Sequence, residues 1–302
     1  MKNGYRVPGV LLLLGAIVGF ILYRIGAFGA LLRQAELGTK DDWNRLGASP
    51  HGAERYPPQG MTVSGESLLI TNHWNGAKSG LYRVDPETGD ILAQALMPSE
   101  ARHTSGLTWD GEWLWALDHE SNYLYKLDAE ATFEAGQAVV ERRFDTGLRG
   151  ASGLTLLEVS GEEFFAVSDF LWTIETTPSL PVGSARTYIV PRERLERGGS
   201  VRQAARLSYP NGGYSQGLTW DGTYLYESLN NFGTDRIEVR DVSEALGRDD
   251  ADDIERVGSF EGPAGRIEDL GTDGERLWTT DEGTYDLYRL DSFGRIRESF
   301  SR

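Results

Sequence analysis

The chain has 302 residues and no cysteine, with 46 acidic against 30 basic side chains and a formal net charge of −16. The missing thiols exclude disulfides, thiolate metal centres and cysteine nucleophiles. So negative a field also excludes an extended phosphate- or nucleic-acid-binding surface, and suits solubility or a basic partner instead.

Residues 1–33 read as an N-terminal tail and membrane anchor. Residues 7–23 are 17 consecutive uncharged positions, at the short end for a spanning helix, and apolar character resumes from Ile25 to Leu32. A cleaved signal peptide is the rival, since Lys2 and Arg6 make a basic start and Ala27-Phe28-Gly29-Ala30 offers small residues. The apolar region is long for that, so an uncleaved single-pass helix is expected, with the bilayer as its first partner. Gly15 and Gly19, one turn apart, would let a partner's helix pack closely. Arg24, Arg33, Lys40 and Arg45 outnumber Lys2 and Arg6, against the positive-inside rule, but long domains translocate despite such charges. The remainder is therefore expected outside the cytoplasm. Residues 34–58 show weak periodicity and read as a linker along the rim.

From residue 59 to residue 302 one pattern repeats five times. Gly60-Met61-Thr62-Val63-Ser64-Gly65, Gly106-Leu107-Thr108-Trp109-Asp110-Gly111, Gly153-Leu154-Thr155-Leu156 and Gly217-Leu218-Thr219-Trp220-Asp221-Gly222 open four units, and Asp269-Leu270-Gly271-Thr272-Asp273-Gly274 opens a fifth. The spacings of 46, 47, 64 and 52 residues are those of propeller blades rather than helical arrays. Each unit continues as alternating strands; in the second these are residues 106–109, 113–117, 123–128 and 138–144. The third unit carries an insertion at residues 176–186, and the fifth is read as ending in a fourth strand of its own over 296–300. The fold class is thus all-β, a five-bladed propeller behind a single transmembrane helix. The acidic run 249–253 lacks calcium-loop spacing and reads as a solvated loop.

Antiparallel pairing brings the start of each first strand and the end of each second strand to one face. That face collects Gln59, Trp74, His103, Asp118, Asp169, Trp172, Asn230, Glu268 and Asp281, with Gln216 and Glu227 among them. A polar ring on an aromatic wall is what a small binding site needs. His73, His103 and His119 also fall there, and Asp118 or Glu120 could complete a metal site. No single element carries ligand spacing, so scattered surface histidines, no metal and no cofactor are expected. Glu227 stands out: aligned on the hairpin glycines, sister blades carry Ile70, Ala116, Ala166 and Thr279. A carboxylate at such a position is either desolvated toward proton-transfer use or paired with Arg236 or Arg240.

Tyr214-Ser215-Gln216-Gly217-Leu218, then Leu225-Tyr226-Glu227-Ser228 and Phe232-Gly233, resembles the plant and bacterial type of glutaminyl-peptide cyclotransferase, a five-bladed propeller family. The resemblance implies that Glu227 would shuttle a proton as an N-terminal glutamine closes to pyroglutamate, with Gln216 positioning substrate. In that family the motif lies in the first blade, whereas here it lies in the fourth. Two functions follow. A membrane-anchored propeller serving as a protein-binding or stabilising subunit of a membrane complex is expected; a cyclotransferase is the alternative.

Overall fold

The computed structural model describes residues 38–300 apart from 55, 74–78, 171–184, 212–213, 231–234 and 249–253. The expected membrane helix with Gly15 and Gly19 lies outside the described residues, as do Trp74 and Trp172. Among the described residues no helix is long and apolar enough to cross a membrane.

Among the described residues the strands form five four-stranded antiparallel sheets. The first strand, β1 (Asn44–Ala48), belongs to the last sheet. Blade 1 is β2 (Pro58–Ser64), β3 (Ser67–Asn72), β4 (Gly80–Val84) and β5 (Ile91–Leu96); blade 2 is β6 (Thr104–Trp109), β7 (Leu114–Asp118), β8 (Tyr123–Asp128) and β9 (Val139–Asp145). Blade 3 is β10 (Ala151–Val159), β11 (Glu162–Asp169), β12 (Arg186–Pro191) and β13 (Leu207–Pro210). Blade 4 is β14 (Ser215–Trp220), β15 (Leu225–Leu229), β16 (Arg236–Asp241) and β17 (Glu255–Glu261). Blade 5 is β18 (Ile267–Thr272), β19 (Leu277–Asp281), β20 (Asp286–Leu290) and then β1.

Two expectations are corrected at the seam. The fourth strand of blade 5 comes from β1, which pairs antiparallel with β20 from Asn44 opposite Arg289 to Ala48 opposite Asp286. Hydrogen bonds between the first and last described strands, and not packing alone, therefore close the ring. Trp43 reinforces the seam by burying its ring among Tyr226, Phe260 and Phe293 and donating its indole N–H to Glu261 O at 3.1 Å. The segment read as a final strand is a helix, Phe293–Phe300, because Phe293, Ile296 and Phe300 fall on one helical face against blades 4 and 5.

The apolar core is divided into five parts, one between each pair of neighbouring blades. Trp115 and Phe144 meet Phe165 and Val190 between blades 2 and 3; Met61 and Tyr82 meet Trp278 and Leu287 across the seam between blades 1 and 5. Three further clusters fill the other interfaces. A blade buries its apolar face only against its neighbours, so no blade is stable alone.

The repeat's opening glycine is set by distance to the axis. Every first strand carries a register shift just before or at this position, which releases local N–H groups from the ladder. In blades 1, 3 and 4 the freed glycine N–H donates to a second-strand hydroxyl: Thr71 at 2.9 Å, Ser168 at 2.8 Å and Ser228 at 2.7 Å. Each hydroxyl then donates to the next blade, Thr71 to Thr104 O, Ser168 to Ser215 O and Ser228 to Glu268 O. A Cβ on Gly217 would lie 2.3 Å from Asp269 Cα, within backbone that cannot yield. Gly217→Ala is therefore expected to lower stability by about 3 kcal/mol or more. Gly247→Ala, whose Cβ meets nothing within 4 Å, should leave stability unchanged or slightly raised. Urea denaturation of both variants checks this, and equal midpoints would contradict it.

Candidate functional site at the propeller mouth

The residues before each opening glycine ring one end of the axis. Ser105 Oγ donates to Ala151 O and Ser152 O; Ser152 Oγ donates to Gln216 O and to Gln216 Oε1 at 2.8 Å; Gln216 Nε2 donates to Glu268 Oε1 at 3.5 Å. Gln59, before the first opening glycine, donates through Nε2 to Pro58 O while its Oε1 meets His103 Nε2 at 2.5 Å. Gln216 and Glu268 thus bind one another, while the Gln59 amide is taken up by Pro58 O and His103.

An aromatic arc lies around this ring. His73 stacks on His103 with ring centroids 4.7 Å apart, His103 meets His119 at 5.0 Å, His119 meets Phe170 at 6.2 Å and Phe170 meets Tyr214 at 6.1 Å. The expectation of scattered histidines is corrected, because equivalent strand ends in blades 1 and 2 converge on the mouth. Burial, then the neighbouring His119 and His73, holds the His103 pKa well below its ordinary value. Across the ring, burial and then the Glu282, Asp281 and Asp235 carboxylates hold Glu268 well above the usual carboxylate range.

The second-strand aspartates cap their own blades. Asp118 accepts the His103 and Ser121 N–H groups, Asp281 accepts those of Arg266 and Thr284, and Asp169 accepts that of Gly150. Asn230 is buried, its N–H donating to Tyr214 O at 2.9 Å. These residues reach the mouth, yet their mapped bonds hold the strand ends together.

Glu227 points elsewhere. It is fully buried between blades 3 and 4, where Thr187 Oγ1 donates to its Oε1 at 2.7 Å, Tyr209 O–H to its Oε2 at 3.2 Å, and Arg240 Nε lies 3.3 Å from Oε2. Burial raises its pKa, while Arg240, Thr187 and Ser215 pull against that rise. Strand register makes Val167, not Ala166, its counterpart in blade 3: Leu218 faces Glu227 as Leu154 faces Val167. Blade 3 has a longer first hairpin, closing from Val159 to Glu162, so alignment on the hairpin glycine slips by one residue. Among the described residues Gln216 bonds to Ser152 and Glu268 whereas Glu227 bonds to Thr187, Tyr209 and Arg240. Sequence reading missed Thr187 and Tyr209, because they come from the outer strands of another blade.

Arg240 also lines a cavity of about 370 Å³ with Asn211, Tyr214, Arg236, Glu238 and Arg256. Glu238 accepts from all three guanidiniums, from Arg236 at 2.6 Å, Arg240 at 2.5 Å and Arg256 at 3.0 Å. The cluster is a charge-assisted brace on the outer face of blade 4.

The fold is that of a five-bladed β-propeller. No family model matches the chain, and no curated protein sequence matches it. Among solved structures, the glutaminyl cyclase of Myxococcus xanthus superposes with a TM-score of 0.53 at 14% identity, covering 82% of this chain and 94% of that one. At that identity the likeness concerns the fold alone. Hydrazine synthase of Kuenenia stuttgartiensis is similar at a TM-score of 0.40 and 16% identity, over 75% of this chain and 56% of that one. A chain of a nidogen/laminin complex is similar at 0.45 and 13%, over 74% and 72%.

One titration follows from the caps. Burial pushes the Asp169 carboxyl up to about 6 from an ordinary 3.8, with the Gly150 N–H pulling back. The folded state holds this proton more tightly than the unfolded one. The associated stability is complete below about pH 4 and is lost as pH rises through about 6. Asp169→Asn keeps an acceptor for Gly150 and removes the titration. Denaturation midpoints across that window should fall more steeply for the unaltered protein than for the variant; parallel curves would contradict the assignment.

Proposed function

We propose that the protein is a membrane-anchored, extracytoplasmic β-propeller that acts as a protein-binding or stabilising subunit of a membrane complex. The observation carrying this reading is the location of the exposed large apolar side chains. Among the described residues these are Ile91, Leu92, Leu96, Val139 and Val140, between 36% and 56% exposed. All five lie on β5 and β9, the outermost strands of blades 1 and 2. The two strands adjoin, since Leu96 N–H donates to Gly136 O at 3.1 Å and Ala138 N–H to Leu96 O at 2.7 Å. An apolar strip on adjacent outer strands of a strongly acidic protein suits a partner with an apolar centre and a basic rim. The apolar run 7–23, with Gly15 and Gly19 four positions apart in sequence, supports anchoring beside another membrane helix.

The cyclotransferase alternative draws on the fold likeness and on the raised pKa of Glu227. A general acid–base group must reach the substrate's proton. Both Glu227 oxygens are engaged between blades, and the Gln216 amide is bonded to Ser152 and Glu268. That occupancy favours the binding role.

The test extracts the full-length protein from membranes in mild detergent and quantifies what accompanies it. Leu92→Glu with Val140→Glu should lower recovery of a stoichiometric partner about tenfold or more, the loss of roughly 1.4 kcal/mol of binding. Both sites are exposed, so folding should survive. Unchanged recovery would contradict the reading. Turnover of an N-terminal glutamine peptide that Glu227→Gln abolishes would replace it with the enzyme.

A further inference from the structure

Three of the four histidines meet at the mouth together with a carboxylate that no capping bond uses. His73 follows β3, His103 precedes β6 and Glu120 follows β7, so the three side chains come from two neighbouring blades. Their backbones are fixed. His73 N–H donates to Pro57 O at 2.8 Å, His119 N–H to His103 O at 2.8 Å, and the turn carrying Glu120 closes with Asn122 N–H on Asp118 O at 3.0 Å. One nitrogen or oxygen of each of His73, His103 and Glu120 lies within 4.8 Å of the other two.

The hydrogen bonds set the protonation of His103. Gln59 donates through Nε2 to Pro58 O, so the oxygen of its amide is the atom facing His103 Nε2. An amide oxygen only accepts, and therefore His103 carries its proton on Nε2 and keeps a lone pair on Nδ1. A ring N–H held by an oxygen acceptor is the usual outer support of a metal-bound imidazole. His73 supplies a second sign: its Nε2 is buried without a hydrogen-bond partner. A buried polar atom without a partner is costly unless something outside the polypeptide engages it.

We propose that His73, His103 and Glu120 form a binding site for a divalent transition-metal ion of the zinc class at the propeller mouth. Two imidazoles and one carboxylate are the donor set that such ions take, and three protein ligands leave coordination positions for water or an incoming group. A point central to three atoms no more than 4.8 Å apart lies within about 2.8 Å of each, so side-chain shifts of under roughly 1 Å reach bonding distance. The site stands independently of the partner-binding role proposed above.

Calorimetric titration of the full-length protein, stripped with chelator and exchanged into detergent buffer, with zinc chloride is the test. Cobalt(II) absorption serves as a second readout of nitrogen ligation. One equivalent should bind. His73→Ala and Glu120→Ala should each weaken binding about 100-fold or more, and Gln59→Leu by roughly 10–100-fold through loss of its support to His103. His51→Gln, altering the one histidine away from the mouth, should leave affinity unchanged. Glu120 is exposed, so its variant keeps the fold even if the histidine variant does not. The absence of a binding isotherm in the unaltered protein, or affinity that survives Glu120→Ala, would overturn the site.

Discussion

A single carboxylate holds the centre of this propeller. Asp269 stands where the other four units have glycine, and its side chain occupies the axis. Its Oδ2 accepts the N–H of Met61 at 2.9 Å and of Leu107 at 3.2 Å; its Oδ1 accepts those of Leu218 at 3.0 Å and Leu270 at 2.9 Å. These donors belong to blades 1, 2, 4 and 5. Burial pushes the Asp269 pKa up while the four N–H bonds pull against it. All four lone-pair positions face donors, so a proton on either oxygen would displace one of them. The glycines elsewhere in the ring follow from this arrangement, because the strands must approach closely enough for one carboxylate to reach them.

The same geometry explains why so many polar residues at the mouth are architectural. Bulged first strands release N–H groups that need acceptors, and the second strands provide hydroxyls and carboxylates to meet them. Ser228 of the Glu-Ser pair is one of these: it takes the Gly217 N–H and passes its own proton to Glu268 O in the next blade. Gln216, Gly217 and Ser228 of that motif thus each have a structural role in the propeller. Glu227 likewise has its charge set against Arg240 between blades rather than against the mouth.

Blade number and the first three strands of each blade were legible because the repeat encodes them locally, through alternating apolar residues and the aspartate–glycine hairpins. Asp110, Asp221 and Asp273 each accept the N–H groups two and three residues on, which makes those turns readable without tertiary context. The seam was not legible. β1 has little burial of its own, and only its pairing with β20, more than two hundred residues away, makes it a strand. The final helix was misread because Ile296 to Phe300 alternates over a short run, while the helical spacing shows only when Phe293 is included. The histidine cluster and the surroundings of Glu227 depend on contacts between blades, which residue spacing within one blade does not reveal.

Asp269 offers the most direct measurement of this account. Asp269→Ala would leave the Met61, Leu107, Leu218 and Leu270 N–H groups buried without their acceptor, at about 1–3 kcal/mol each, comparable with the whole stability of a folded domain. Urea denaturation followed by tryptophan fluorescence should show no cooperative unfolding transition for this variant. Asp273→Ala, which loses an exposed hairpin cap, should keep the transition with a drop of about 1 kcal/mol. An Asp269→Ala protein that unfolds within about 0.5 kcal/mol of the unaltered chain would contradict the central role of the axial carboxylate.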